Sequence, residues 1–145
     1  MKTNDVDSCM SNIVKLEWLE FNTWTEVLND AEGRYGFPCV YVLADKNRVP
    51  LYIGSATQRE KKKNGIEYSG GLRMRYYHDW TVLDACMEGT GRKVFIAEVE
   101  ARQARKIEAQ LIYENKPRYN EKMKDTLPQV MLKLLHKGSH PLLKH

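Results

Sequence analysis

Val40-Tyr41-Val42-Leu43 and Pro50-Leu51-Tyr52-Ile53-Gly54 are two short runs of β-branched and aromatic residues, separated by the polar Ala44-Asp45-Lys46-Asn47-Arg48-Val49. Such runs favour strands and a polar centre suits chain reversal, so the pair reads as an antiparallel hairpin. A reversal centred between Lys46 and Asn47 sets Ala44 opposite Val49 and Tyr41 opposite Tyr52. Directly opposed side chains share a face with Cβ atoms about 5 Å apart. Two phenols then stand side by side, either as ordinary cross-strand packing or as part of a site.

The rest of the chain sets bounds on that choice. Its 145 residues, 42% of them hydrophobic, suffice for one buried core. No apolar run approaches the roughly 20 residues of a membrane span. The opening Met1-Lys2-Thr3-Asn4-Asp5-Val6-Asp7 lacks a hydrophobic signal segment, so a cytoplasmic protein with no membrane association is expected. Cys9, Cys39 and Cys86 are odd in number, widely separated and without zinc-site spacing, which implies reduced thiols. Any metal is therefore expected on oxygen ligands.

Charge is unevenly spread. Between Gln58 and His78 stand Arg59, Lys61, Lys62, Lys63, Arg73 and Arg75 against Glu60 and Glu67, a local excess of +4, while the remainder balances at 17 basic and 17 acidic residues. A concentrated basic stretch suits a polyanion, because phosphate contacts and counterion release supply most nucleic-acid affinity. The alternative is a solvated surface loop.

Residues 1–37 read as an N-terminal extension packing on the core. Within it Ile13 to Phe21 alternates as a strand or extended segment, and Thr23-Trp24-Thr25-Glu26 has the spacing of a capping box that opens a short helix to about Asp30. Trp18, Trp24, Val27 and Leu28 are expected to pack onto the hairpin sheet. Residues 38–122 form the core. Ser55 to Gly71 is a long, basic, Gly-punctuated connection, of a length that is usually functional or mobile. A helix follows from about Gly71 to Cys86, with Leu72, Tyr76, Trp80 and Leu83 as its buried stripe and Arg75 beside it. Lys93 to Val99 reads as a third strand. Residues 123–145 are expected to carry a last short helix over Pro128 to His136 and then a tail.

The helix expected over Arg102 to Glu114 is the most informative. Ala104, Ile107, Leu111 and Ile112 write its apolar face, and the inward position between them belongs to Glu108. An inward carboxylate is costly unless it is paired or bound to a cation. Either pairing with Arg105 or with a neighbouring strand residue, or a metal, would account for it.

These residues, taken in order, resemble the GIY-YIG nuclease family. Val40-Tyr41-Val42 is similar to the first half of the signature and Tyr52-Ile53-Gly54 matches the second, eleven residues apart from tyrosine to tyrosine. Leu72-Arg73-Met74-Arg75 resembles the start of the arginine-bearing helix. Glu108-Ala109-Gln110-Leu111-Ile112, followed by Pro117 and Asn120, resembles the metal-binding glutamate and the asparagine that ends the core motif. The match runs from about Pro38 to Asn120. Cys39 stands where the first motif has Gly, and Ser55 where many members have Lys, so a basic group would come from Lys46, Arg48 or the Lys61-Lys62-Lys63 run. The family's histidine falls four residues after the arginine, a count that His78 fits from neither Arg73 nor Arg75.

The resemblance implies an α/β (α+β) fold, a small three-stranded antiparallel sheet flanked by helices. It implies a DNA endonuclease dependent on Mg²⁺, with Mn²⁺ as a substitute, leaving 5′-phosphate and 3′-hydroxyl ends. Tyr41 would be the general base, with Tyr52 beside the scissile phosphate or sharing that role. Arg75 or Arg73 would neutralise the phosphate, with His78 nearby, Glu108 would hold the cation, and Asn120 would fix local geometry. Gly54, Arg59, Lys61, Lys62 and Lys63 form the expected DNA-contacting set. The partner would be double-stranded DNA, cut in restriction-enzyme fashion, with a homodimer as one way to cut both strands. A structure-specific or phage nicking nuclease, and a non-catalytic DNA-binding module, are the alternatives.

Overall fold

The computed structural model describes residues 13–29, 37–57, 61–63, 66–68, 79 and 81–144, with backbone alone for 61–63 and 66–68. Arg59, Arg73, Arg75 and His78 lie outside the described residues, as do Leu72, Tyr76 and Trp80 of the expected helix stripe.

Alternation builds the first strand as the sequence suggests. In β1 (Ile13–Phe21) Leu16 and Trp18 are buried while Lys15 and Glu17 are exposed. The capping box then works in both directions. Thr23 Oγ1 accepts from the Glu26 N–H at 3.1 Å, and the Glu26 carboxylate accepts from the Thr23 N–H at 2.9 Å, opening helix α1 (Trp24–Leu28). This helix ends at Leu28, short of Asp30.

The hairpin forms from β2 (Cys39–Ala44) and β3 (Pro50–Ala56), but its register is not the expected one. Tyr41 faces Gly54 and Leu43 faces Tyr52, with a bulge between Leu43 and Ala44. The reversal explains the shift. The Asp45 carboxylate accepts from the N–H groups of Asn47 and Val49, at 2.8 and 3.0 Å, and Arg48 takes a left-handed φ of 68°. The turn is therefore organised by Asp45, not centred between Lys46 and Asn47.

The sheet has five strands, not the expected three, in the order β3-β2-β6-β1-β7, where β6 is Lys93–Glu98 and β7 is Lys133–Gly138. Neighbours are antiparallel except β1 and β7, which are parallel. The expected count stopped at β6, whose outer backbone groups would then lack partners. Pairing with β1 satisfies them.

Strand β7 replaces the helix expected over Pro128 to His136. The spacing of Val130, Met131, Leu134 and Leu135 suits a helix, yet Val130 and Met131 are exposed. Tertiary contacts decide otherwise. The Gln110 side-chain amide bonds both backbone groups of Leu132 at 2.7 Å, and the Trp18 indole donates to His136 Nδ1 at 3.0 Å. Gly138 closes the strand at φ 76°, where a Cβ would lie 2.5 Å from the Trp18 carbonyl oxygen.

Helix α2 (Ala101–Asn115) covers one face of the sheet through Ala104, Ile107, Leu111 and Ile112. That layer holds Leu16, Trp18, Val40, Val42, Ile53 and Phe95. On the opposite face Trp24 and Val27 of α1, with Leu83 and Cys86 of helical residues 81–86, enclose Tyr41, Leu43, Val94 and Ile96. Covered on both sides, β2 is buried throughout.

The connection after β3 contains a small hairpin, β4 (Lys61–Lys63) paired antiparallel with β5 (Ile66–Tyr68). Asn64-Gly65 separates them in sequence, the dipeptide best suited to a two-residue reversal. Among the described residues no helix is long and apolar enough to cross a membrane.

Candidate active-site cleft

The edge strand β3 owes its shape to the segment that follows α2. The helix ends with Lys116 in a left-handed conformation, φ 46°, and Pro117 prevents its continuation. The chain then runs along β3, and the Tyr119 N–H donates to the Leu51 carbonyl at 2.9 Å. Asn120 completes the cover. Its Oδ1 accepts from the Ile53 N–H and its Nδ2 donates to the Ile53 carbonyl, both at 2.9 Å, so one buried side chain acts as a strand partner.

Glu108 sits on the sheet-facing side of α2, 9% exposed. Register places Ser55 opposite Val40, on the α2 face, and the Ser55 hydroxyl donates to Glu108 Oε1. A hydroxyl bonded to a carboxylate is a charge-assisted contact that orients the acid. The residue that departs from the family pattern at 55 thus holds Glu108.

The two tyrosines have different environments. Tyr41 is fully buried, packed edge-on against Trp24 with ring centroids 5.4 Å apart. Its ring lies across Gly54, where a Cβ would fall 2.4 Å from both Cζ and Oη. That close approach is the local reason for glycine in Tyr52-Ile53-Gly54. Tyr52 stands diagonal to Tyr41 on the same face, with centroids 6.4 Å apart, and is half-buried.

A cleft of about 450 Å³ opens at this sheet edge, and Tyr52, Glu108 and Asn120 line it together. It straddles the edge: Tyr52 comes from one face, Glu108 and Ile112 from the other. Asp79, Val82, Tyr119, Glu121, Lys122 and Met123 complete the wall. Asp79, Tyr119, Glu121 and Lys122 were not singled out by sequence. Only Asp79 carried a signal, four residues after Arg75, and residues 119–122 have no periodicity to reveal them. Lys46 and Arg48 do not line the cleft. The Arg48 guanidinium instead lies over the Phe95 ring at 5.8 Å and donates to the His140 carbonyl.

Asp79, Glu108 and Glu121 bring carboxylates to the cleft wall, but among the described residues no three His, Cys, Asp or Glu side chains converge on a point that could hold a metal ion. Glu108 is the buried one of the three, and a single protein carboxylate with water completing the shell is a mode natural to Mg²⁺. Cys39 and Cys86 contribute no nucleophile. Burial pushes the Cys39 thiol up to about 12 and the Cys86 thiol up to about 11, so both stay protonated.

No family model matches the sequence, and no curated protein does. Among solved structures the chain is similar to the crystal structure of the GIY-YIG N-terminal endonuclease domain of UvrC from Thermotoga maritima, bound to its catalytic divalent cation, magnesium. The identity is 26%, the match covers 68% of this chain and 94% of that one, and the TM-score is 0.46.

Proposed function

We propose that the chain is a divalent-metal-dependent DNA endonuclease of the GIY-YIG type. The observation that carries this reading is convergence: Tyr52, Glu108 and Asn120, from three separate stretches of sequence, line one cleft at the edge of β3.

Phosphodiester hydrolysis needs a proton acceptor for the attacking water, neutralisation of charge on phosphate, and help for the leaving 3′ oxygen. Tyr52 is the phenol that reaches the cleft, so its phenolate, formed once the phenol proton has passed to bulk solvent, takes the water's proton, while buried Tyr41 supports its ring from behind. A fully buried Tyr41 hydroxyl could meet water only after local opening, which moves the expected base role to its neighbour. Arg75 or Arg73, with His78, serves the phosphate. Glu108, oriented by Ser55, would hold Mg²⁺ or Mn²⁺, which when bound would supply charge stabilisation for the leaving oxygen. Asn120 keeps β3 in register with the cleft wall. The products are 5′-phosphate and 3′-hydroxyl ends on double-stranded DNA, cut at specific sequences by a cytoplasmic enzyme that acts on both strands as a homodimer.

Supercoiled plasmid incubated with and without Mg²⁺ tests this. Discrete Mg²⁺-dependent fragments support a sequence-specific nuclease, and a smear or nicked circles support cutting without that specificity. Intact plasmid that is nonetheless retarded in a gel favours a DNA-binding module, the reading that Ser55 in place of a lysine would suit.

A further inference from the structure

Attack of water on a phosphodiester, with loss of the water's proton, builds additional negative charge on the non-bridging oxygens. That charge would develop in a cleft already walled by the Asp79, Glu108 and Glu121 carboxylates. With Glu108 committed to a cation, the wall still carries the Asp79 and Glu121 carboxylates, and like charges at close range raise the barrier. The reacting phosphate therefore needs positive charge from the protein, placed where the oxygen charge develops.

Among the described residues, Lys122 alone of the lysines and arginines lines the cleft. Its basic neighbours are committed elsewhere. Lys116 donates to the Lys124 carbonyl and lies 3.7 Å from the Asp125 carboxylate, Lys124 Nζ reaches the Arg118 carbonyl at 3.5 Å, and the Arg118 guanidinium lies over the Tyr119 ring at 5.4 Å. Lys122 makes no hydrogen bond or ion pair among the described residues.

The backbone that carries Lys122 is tied to the strand that carries Tyr52. The Tyr119 N–H donates to the Leu51 carbonyl, and the Asn120 amide bonds both backbone groups of Ile53, so the two anchors bracket Tyr52. Lys122 follows two residues after this clamp, on a flexible four-carbon stem that lets an ammonium move within the cleft while its base stays fixed.

We propose that Lys122 is a catalytic residue whose ammonium meets a non-bridging oxygen of the scissile phosphate. It neutralises the charge that builds there as the Tyr52 phenolate takes the water's proton, and it is supplied by the segment after α2, across the cleft from Ser55. The inference rests on the nuclease reading and adds a cation to the arginine already assigned to the phosphate.

The test pairs two measurements on the full chain: plasmid cleavage in Mg²⁺ with enzyme in saturating excess, and gel retardation of the same plasmid in Ca²⁺. Lys122→Ala should slow the saturated rate about 100-fold or more, the usual loss when one donor to a developing oxyanion is removed, and should retard DNA within about threefold of the wild-type concentration. Lys122→Met keeps the length of the stem without its charge and should be as slow as the alanine variant. Lys124→Ala removes a charge two residues away and outside the cleft lining, and should cut at the wild-type rate. Lys122 is exposed, so melting curves of its variants should match wild type. The assignment is overturned if Lys122→Ala cuts within about threefold of wild type at saturation, if Lys122→Met cuts normally, or if Lys124→Ala is as slow as Lys122→Ala. In each of those cases a wild type that cuts in Mg²⁺ leaves the nuclease reading intact. A wild type that cuts nothing removes both proposals.

Discussion

Asn120→Ala should destabilise the fold and loosen the cleft in one step. The side chain is buried, and its two 2.9 Å bonds serve the N–H and carbonyl of Ile53 on the outer edge of β3. Alanine removes both partners. A buried hydrogen bond contributes about 1 kcal/mol net, and each group left unsatisfied adds a desolvation cost of about 1–3 kcal/mol, reduced here because water can reach an edge strand. A loss of about 2–4 kcal/mol follows, which for a chain of this size lowers the melting temperature by roughly 5–15 °C. Differential scanning calorimetry at neutral pH reads it directly. Asn120→Asp is the control: it keeps an acceptor for the Ile53 N–H but sets a second oxygen against the Ile53 carbonyl, so it should melt no higher than the alanine variant. Were Asn120→Ala to melt within about 1 °C of wild type, the view of Asn120 as the edge partner of β3 would be wrong.

Gly54→Ala brings a Cβ to 2.4 Å from a Tyr41 ring that Trp24 prevents from swinging away, so it should cost about 1–3 kcal/mol in urea unfolding. The cost should shrink when combined with Tyr41→Ala; strict additivity would refute the clash. Tyr52→Phe should lower single-turnover cleavage about 100-fold or more with little change in melting, and Tyr41→Phe should lose less; normal rates for both would reduce the pair to packing. The buried thiols predict an alkaline limit. Burial raises their folded pKa above the ordinary 9.0, to about 12 for Cys39 and about 11 for Cys86, so the folded state keeps protons that the unfolded state sheds. Stability should therefore fall as pH climbs past 9, and Cys39→Ala should make that fall shallower; a profile no shallower than wild type would contradict the assignment.

Short-range signals were legible in the sequence and long-range ones were not. The Thr23 and Glu26 spacing specified a cap that needs no tertiary partner, and the inward position of Glu108 followed from helix period alone. The hairpin was legible as a hairpin, yet its register depended on the Asp45 side chain and a left-handed Arg48, which no alternation pattern encodes. Strand β1 was readable locally, but its place between β6 and β7 was not. At β7 a helical spacing over 130–135 yields to Gln110, Trp18 and parallel pairing with β1, none of which the local pattern encodes. At the site, Glu108 and Asn120 stood out as an inward charge and a motif end. Ser55 departs from the expected pattern in sequence, and the fold sets its hydroxyl against the Glu108 carboxylate.

Glu108→Gln tests the central claim most directly. Glutamine keeps the shape and can still accept from the Ser55 hydroxyl, but it loses the charge that would hold a cation. Single-turnover cleavage in Mg²⁺ and duplex binding in Ca²⁺, measured on the same preparation, should separate: cleavage abolished, binding within about twofold of wild type. Cleavage by Glu108→Gln at the wild-type rate would remove Glu108 from the chemistry and the proposed mechanism with it.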